Sequence, residues 1–369
     1  MVNPLMGGAS DGHAEADRLA YFQALVDGFG RAEQASGGLD RVYSVGGYTV
    51  CLRFAGPALP PHLTPALAHL ESAPTNRPDL TVCVWDSAST ATRLPLLVDS
   101  LVHLLRLRWF EQLDGRRAIK GYNSARIRTT FHLGPDILSA LDTNANLAVY
   151  WVEDAGHIPY YERGYPLQTI LNWWLADHHR TFVHAGAVGR PEGGVLLAGQ
   201  SGSGKSTTTL ACLESGLALA GDDYTLVAVD PAPVGYSLYN TAKLRTVEYM
   251  GRFPHLVTRL SNTERLAEEK PMLFLQEHFP DRVLSQFPIR AILLPQVTGR
   301  PTTSVQSVSP MTALKALAPS TLLQLPGAGQ ASFQAMARLV RQVPCYTLAL
   351  GTDLAQIPVV ITDLLGALA

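Results

Sequence analysis

The chain has 369 residues, 47% hydrophobic and 16% charged, which is enough apolar material to bury about two domain cores and excludes wholesale disorder. Lys and Arg total 29 against 31 Asp and Glu, a formal charge of −2, which argues against a strongly basic nucleic-acid binder or an acidic tail protein. Cys51, Cys83, Cys212 and Cys345 have neither CxxC nor zinc-ligand spacing, and no signal-peptide pattern or apolar run of membrane-spanning length occurs, so a cytoplasmic protein with reduced, buried thiols is expected.

Taken in order, residues 1–14 read as a flexible tail rich in Gly and small side chains. Leu19, Phe22, Leu25, Val26 and Phe29 recur at helical spacing, which predicts a helix over Asp17–Arg31. Val42 to Phe54 reads as a hairpin turning at Gly46-Gly47. Further strands are expected at Leu80–Trp85, Ile127–His132 and Ala148–Val152, and an amphipathic helix at Leu94–Phe110. Residues 15–160 therefore read as an α+β amino-terminal domain that docks an acceptor or partner. Pro166 to His178 reads as a helix with Leu167, Ile170, Leu171 and Trp174 on one face. Beyond it, strands at 182–188, 195–198, 217–220, 291–294 and 346–350 alternate with helices near 205–215, 311–317 and 333–340, which predicts an α/β domain over 165–369.

The chemistry begins at Gly199-Gln200-Ser201-Gly202-Ser203-Gly204-Lys205-Ser206, followed by Thr207. This is GxxxxGK[ST], the P-loop, set between a short apolar strand and a helix as the motif requires. Its glycines let successive N–H groups turn toward one phosphate cluster, and the helix N-terminus adds partial positive charge. Lys205 can reach the β- and γ-phosphates of ATP, and Ser206 can place its hydroxyl on Mg²⁺. The loop implies triphosphate binding and does not name the group that receives the phosphate.

Gly221-Asp222-Asp223 closes the next short strand. In a strand–helix–strand unit both carboxyl ends share one sheet edge, which places Asp222 and Asp223 near the loop. One carboxylate can hold Mg²⁺ and the other can take a hydroxyl proton; alternatively the pair only orders metal and water for hydrolysis. Across the 189–194 turn, Val188 should face Val195 and His184 should face Gly199, which brings an imidazole to the phosphates. The alternative for His184 is an ordinary hydrogen-bonded core histidine.

Phe182-Val183-His184-Ala185-Gly186, the P-loop and Gly221-Asp222-Asp223 together resemble the catalytic domain of HPr kinase/phosphorylase, and the spacings from Lys205 to His184 and to Asp222 agree with that pattern. The resemblance implies a P-loop domain of the PEP-carboxykinase/HPr-kinase type. It implies Asp222 as the base that activates a serine hydroxyl, His184 as its neighbour and Lys205 on the phosphates. Ser206, Asp223 and a distal acid, with Glu248 as candidate, would take the metal. The family's Glu-Ile-Arg-Gly segment is absent, and Tyr239-Asn240-Thr241-Ala242-Lys243-Leu244-Arg245 stands in that region. The resemblance therefore does not extend to HPr as acceptor or to the reverse reaction. The organisation is more similar to stand-alone HPr-kinase-related proteins, some of which phosphorylate a serine of a lasso-peptide precursor.

The expected function is ATP- and Mg²⁺-dependent transfer of a γ-phosphoryl group to a serine of a peptide or protein, with no nucleic-acid or membrane partner and homo-oligomerisation left open. Lys243 and Arg245 are candidate cations for the γ-phosphate or an acidic substrate, and alternatively form a solvated strand face. Competing readings are a small-molecule kinase acting on something like free serine, a non-catalytic nucleotide-sensing scaffold, and a simple NTPase.

Overall fold

The computed structural model describes residues 8–95, 113–115, 117–244, 246, 251–325 and 329–368. Arg245, Glu248 and most of the helix expected at Leu94–Phe110 lie outside them. The chain divides into two compact units: Met1–Thr64, Glu71–Arg163 and Leu167–Trp174 form one, and Pro65–Leu70, Gly164–Pro166 and Leu175–Ala369 form the other.

In the first unit, α1 (Gly8–Ser36) starts earlier than expected. Residues 8–14 are helical rather than a flexible tail. Phe22, Leu25, Phe29 and Ala32 make one buried stripe and pack on Cys83, Trp85, Val149 and Trp151. Beneath them lies a sheet in the order β1-β2-β3-β6-β5-β4, built from β1 (Gly38–Val45), β2 (Tyr48–Ala55), β3 (Leu80–Asp86), β4 (Ile127–His132), β5 (Ile137–Asp142) and β6 (Leu147–Val152). The expected hairpin turns at Gly46 (φ 59°) and Gly47 (φ 89°), with Val45 opposite Tyr48. β2, β3 and β6 run parallel and the remaining pairings are antiparallel. The helix α2 (Gln168–Asp177) follows.

The second unit is a sheet between two helical layers. Its strands are β7 (Thr181–Val183), β8 (Ala185–Arg190), β9 (Gly193–Ala198), β10 (Ala218–Gly221), β11 (Thr225–Ala228), β12 (Val234–Tyr236), β15 (Gln286–Val297), β16 (Ser304–Val308) and β17 (Cys345–Leu350). The order is β10-β8-β9-β15-β12-β11-β7, with β17 on β15 and β16 on β17. A separate pair joins β13 (Thr241–Lys243) to β14 (Met272–Phe274). The helices are α3 (Lys205–Cys212), α4 (Pro310–Gln324), α5 (Gln330–Gln342) and α6 (Gln356–Ala367). Side chains alternate along β9, so Val195 and Leu197 meet Leu210 of α3 and Ile357 and Ile361 of α6. Leu196 and Ala198 meet Leu317 of α4 and Met336 and Leu339 of α5. All four cysteines are free and buried.

The stretch expected as one strand over 182–188 is two. β7 pairs with β11, whereas β8 pairs with β9 and β10. The break falls at His184, whose backbone N–H is donated to Thr321 Oγ1 at 3.0 Å instead of to a ladder. Val188 does face Val195, and the ladder stops at Ala185↔Ala198, one step before His184.

Candidate active site

β9 and β10 both run antiparallel to β8, which lies between them. They are therefore parallel, and the loops after both emerge at one edge of the sheet. After β9 the chain turns at Gly202 (φ 85°) and Gly204 (φ 109°), conformations that cost a glycine little. A Cβ on Gly204 would also run into Leu350 Cδ1. Lys205 opens α3 and is buried; its ammonium donates to Gly199 O at 2.8 Å and Gln200 O at 3.4 Å. Burial lowers its pKa, and the charges of Asp223 and Asp222 oppose that.

Asp222 is 1% exposed. Its Oδ1 accepts from Thr209 Oγ1 of α3 at 2.5 Å, its Oδ2 accepts from the Lys243 backbone N–H at 3.1 Å, and Ser206 also hydrogen-bonds to it. Burial, then the charge of Asp223, raise its pKa above the ordinary carboxylate value despite those donors. The close fit of β8 against α3 keeps it there: a Cβ on Gly186 would stand 2.9 Å from Thr209 Cγ2 and 3.0 Å from Asp222 O.

The side chain of Asp223 is 28% exposed and has different partners. Tyr165 Oη donates to its Oδ2 at 2.7 Å, and His184 Nε2 stands 3.6 Å from its Oδ1. Burial pushes its pKa up, but the imidazole of His184, the Tyr165 hydroxyl and the Lys243 charge outweigh that and hold it below the usual range. Tyr165 is itself buried, which raises its pKa, and the carboxylates add to the shift. Its ring carries Lys243 Nζ 3.7 Å from the centroid and packs edge-on against Tyr224.

His184, Asp223, Lys243, Lys270 and the loop residues Ser201, Gly202 and Gly204 to Thr207 line one cleft of about 220 Å³. Asp222 is not on the wall; it lies behind Ser206. Of the residues expected from the sequence, the loop, His184, Asp223 and Lys243 come together here; Thr209, Tyr165 and Lys270 were not among those expected. Thr209 is legible in retrospect, because it lies one turn beyond Ser206 on the same helix face. No local pattern marks Tyr165 or Lys270, since tertiary contact alone brings them in.

The donor set suits the expected ligands. Backbone turns, a lysine and a helix N-terminus of this kind hold phosphates, and a hydroxyl with carboxylates behind it offers the hard oxygens Mg²⁺ takes. No helix among the described residues is long and apolar enough to cross a membrane. No protein-family model matches the chain, and no curated protein matches it. Among solved structures, the Hpr(Ser) kinase/phosphatase from Coxiella burnetii aligns over 51% of this chain and 95% of its own, at 12% identity and a TM-score of 0.28. A likeness that loose carries no argument, so the functional reading stands on the site's own residues.

Proposed function

We propose that this protein is an ATP-dependent phosphotransferase that moves the γ-phosphoryl group to a hydroxyl, with a serine of a peptide or protein as acceptor. One observation carries the reaction class: the phosphate loop, Asp223 and His184 line a single cleft. The serine acceptor rests on the motif resemblance at 182–186, 199–206 and 221–223.

Lys205 and the loop N–H groups hold the triphosphate, and Ser206, with Asp222 behind it, would hold Mg²⁺. When bound, that ion supplies charge neutralisation on the phosphates. Relative to the roles drawn from the sequence, the two aspartates exchange. Access supports this: Asp222 is enclosed by Thr209, Ser206 and the Lys243 amide, whereas Asp223 faces the cleft. Asp223 accepts the acceptor hydroxyl's proton as oxygen attacks phosphorus and the bond to the β-phosphate oxygen breaks, releasing ADP. A strong base is not required for this, because the attacking oxygen keeps its proton until late in a loose transition state. What is required is an ionised carboxylate in place, which the surroundings of Asp223 favour. Lys243 and Lys270 line the cleft where charge on the transferred group can be offset.

The test is transfer of label from γ-labelled ATP to a library of serine-containing peptides. Transfer is expected, and Asp223→Asn should lower turnover roughly 100-fold or more while ATP affinity is kept. Tight ATP binding with hydrolysis alone, diverted by no acceptor, would sink the reading.

A further inference from the structure

Gly164, Tyr165 and Pro166 belong to the second unit. Side chains at and just before β13 fasten them there. Thr241 Oγ1 donates to Gly164 O at 2.7 Å, and Tyr239 Oη donates to Pro166 O at 2.9 Å. The Tyr165 ring is fixed between them, edge-on to Tyr224 and tilted against Tyr239, with its hydroxyl on Asp223. β13 ends at Lys243, whose backbone N–H is held by Asp222.

Lys243 is only 8% exposed, although lysine is seldom enclosed to that degree. Its ammonium lies 3.7 Å from the centre of the Tyr165 ring, a face that attracts a cation. Its stem lies against Gly164. A Cβ on that glycine would stand 2.9 Å from Lys243 Cε, 3.0 Å from Lys243 Nζ and 3.1 Å from Met272 Sδ. Met272 is opposite Lys243 in the β13–β14 pair, so two long side chains share the space beside the glycine.

Nothing local calls for a glycine there. Gly164 ends a short helix, Tyr160–Gly164, without a left-handed φ, and alanine is the better helix former. The atoms a methyl would meet are the far ends of two flexible side chains, not backbone. A methyl at 164 would therefore move the lysine and leave the fold standing.

We propose that Gly164 is a positioning residue of the phosphoryl transfer: its bare Cα is the seat that keeps the Lys243 ammonium on the Tyr165 ring and in the cleft wall. This rests on the proposed function and adds to it a residue behind the wall. An ammonium placed beforehand serves a developing charge best, because no reorganisation is left for the transition state. Its displacement should lower turnover and leave the KM for ATP nearly unchanged.

Wild type, Gly164→Ala, Lys243→Ala and the double variant test this in the labelled-ATP transfer assay, with urea unfolding of each. Gly164→Ala should lower turnover about tenfold, with KM and unfolding midpoint close to wild type. Lys243→Ala should lower it about 100-fold. Adding Gly164→Ala to Lys243→Ala should cost no more than about twofold further, because the group it displaces is gone. A second measurement needs no ATP. In protein carrying isotope-labelled lysine, the Cε methylene signal of Lys243, identified by its loss in Lys243→Ala, should be shifted by the Tyr165 ring and lose that shift in Gly164→Ala. Full turnover in Gly164→Ala, an equal loss when it is added to Lys243→Ala, a midpoint that falls in step with activity, or an unshifted methylene in wild type would overturn the seat. Absence of transfer by wild type would instead be failure of the proposed function, recognisable because the methylene signal is read independently of it.

Discussion

Asp222 and Asp223 are adjacent in the chain and sit in opposite environments, one enclosed against α3, the other open to the cleft under Tyr165 and His184. In the proposed transfer Tyr165 acts through Asp223, as a positioning residue. Tyr165→Phe removes the 2.7 Å hydrogen bond and keeps the ring beneath Lys243. The hydroxyl helps to lower the pKa of Asp223, so its loss should raise that pKa. The carboxylate must be ionised to take the proton, so the acidic limb of the turnover–pH profile should move to higher pH. A profile that stays in place while turnover falls would leave the tyrosine a packing residue only. His69 Nε2 stands 2.6 Å from Ser237 Oγ and Asn240 lies 3.3 Å from Nδ1, an arrangement like that of a nucleophilic serine. The Asn240 nitrogen facing Nδ1 also donates to Pro65 O and Ala66 O, so it is the amide NH2 and cannot accept a proton from the ring. That leaves the imidazole proton on Nε2, directed at the serine, the wrong tautomer for a base.

At the scale of elements, the site depends on how closely β8 approaches α3. Gly186→Ala places a methyl 2.9 Å from Thr209 Cγ2 and 3.0 Å from Asp222 O, so the groups around Asp222 must shift to admit it. The expected cost is about 1–3 kcal/mol, with weakened ATP binding, read by urea unfolding and nucleotide titration. Leu197, fully buried between β9 and the α3–α6 layer, sets a larger scale: Leu197→Ala should cost about 2–5 kcal/mol. An unfolding midpoint unmoved by that change would contradict the layered packing. The short apolar run of β9 and the Gly46-Gly47 turn were readable because a contiguous apolar run and turn chemistry are local. The split between β7 and β8 was not readable, since it depends on Thr321, 137 positions away in sequence, capturing the His184 amide.

Over the whole molecule, a short early segment belongs with the later unit: Pro65–Leu70 groups with residues from 175 onward. His69, within it, is half-buried, and desolvation of its ring lowers its pKa to about 3. An unfolded histidine titrates near 6.5. Below that value the unfolded chain takes up a proton that the folded unit refuses, so stability falls with pH from about 6.5 to about 3. The contribution of this one group should be about 2 kcal/mol between pH 7 and pH 5. His69→Gln should flatten the acid limb of stability against pH by one proton, measured by denaturant unfolding at each pH. An unchanged slope would show that His69 is protonated in the folded protein.

The sequence by itself determined the glycine-rich turn at 199–204 between β9 and α3, the placing of the aspartate pair at the same sheet edge and the Val188↔Val195 register, because each follows from contiguous residues and the two-residue period of a strand. Only the tertiary structure decided which aspartate faces the cleft, and only it brought in Tyr165, Thr209 and Lys270. Exposure and hydrogen-bond partnership are properties of neighbours far apart in the chain, and two adjacent, identical side chains give no local clue to which of them the fold will enclose.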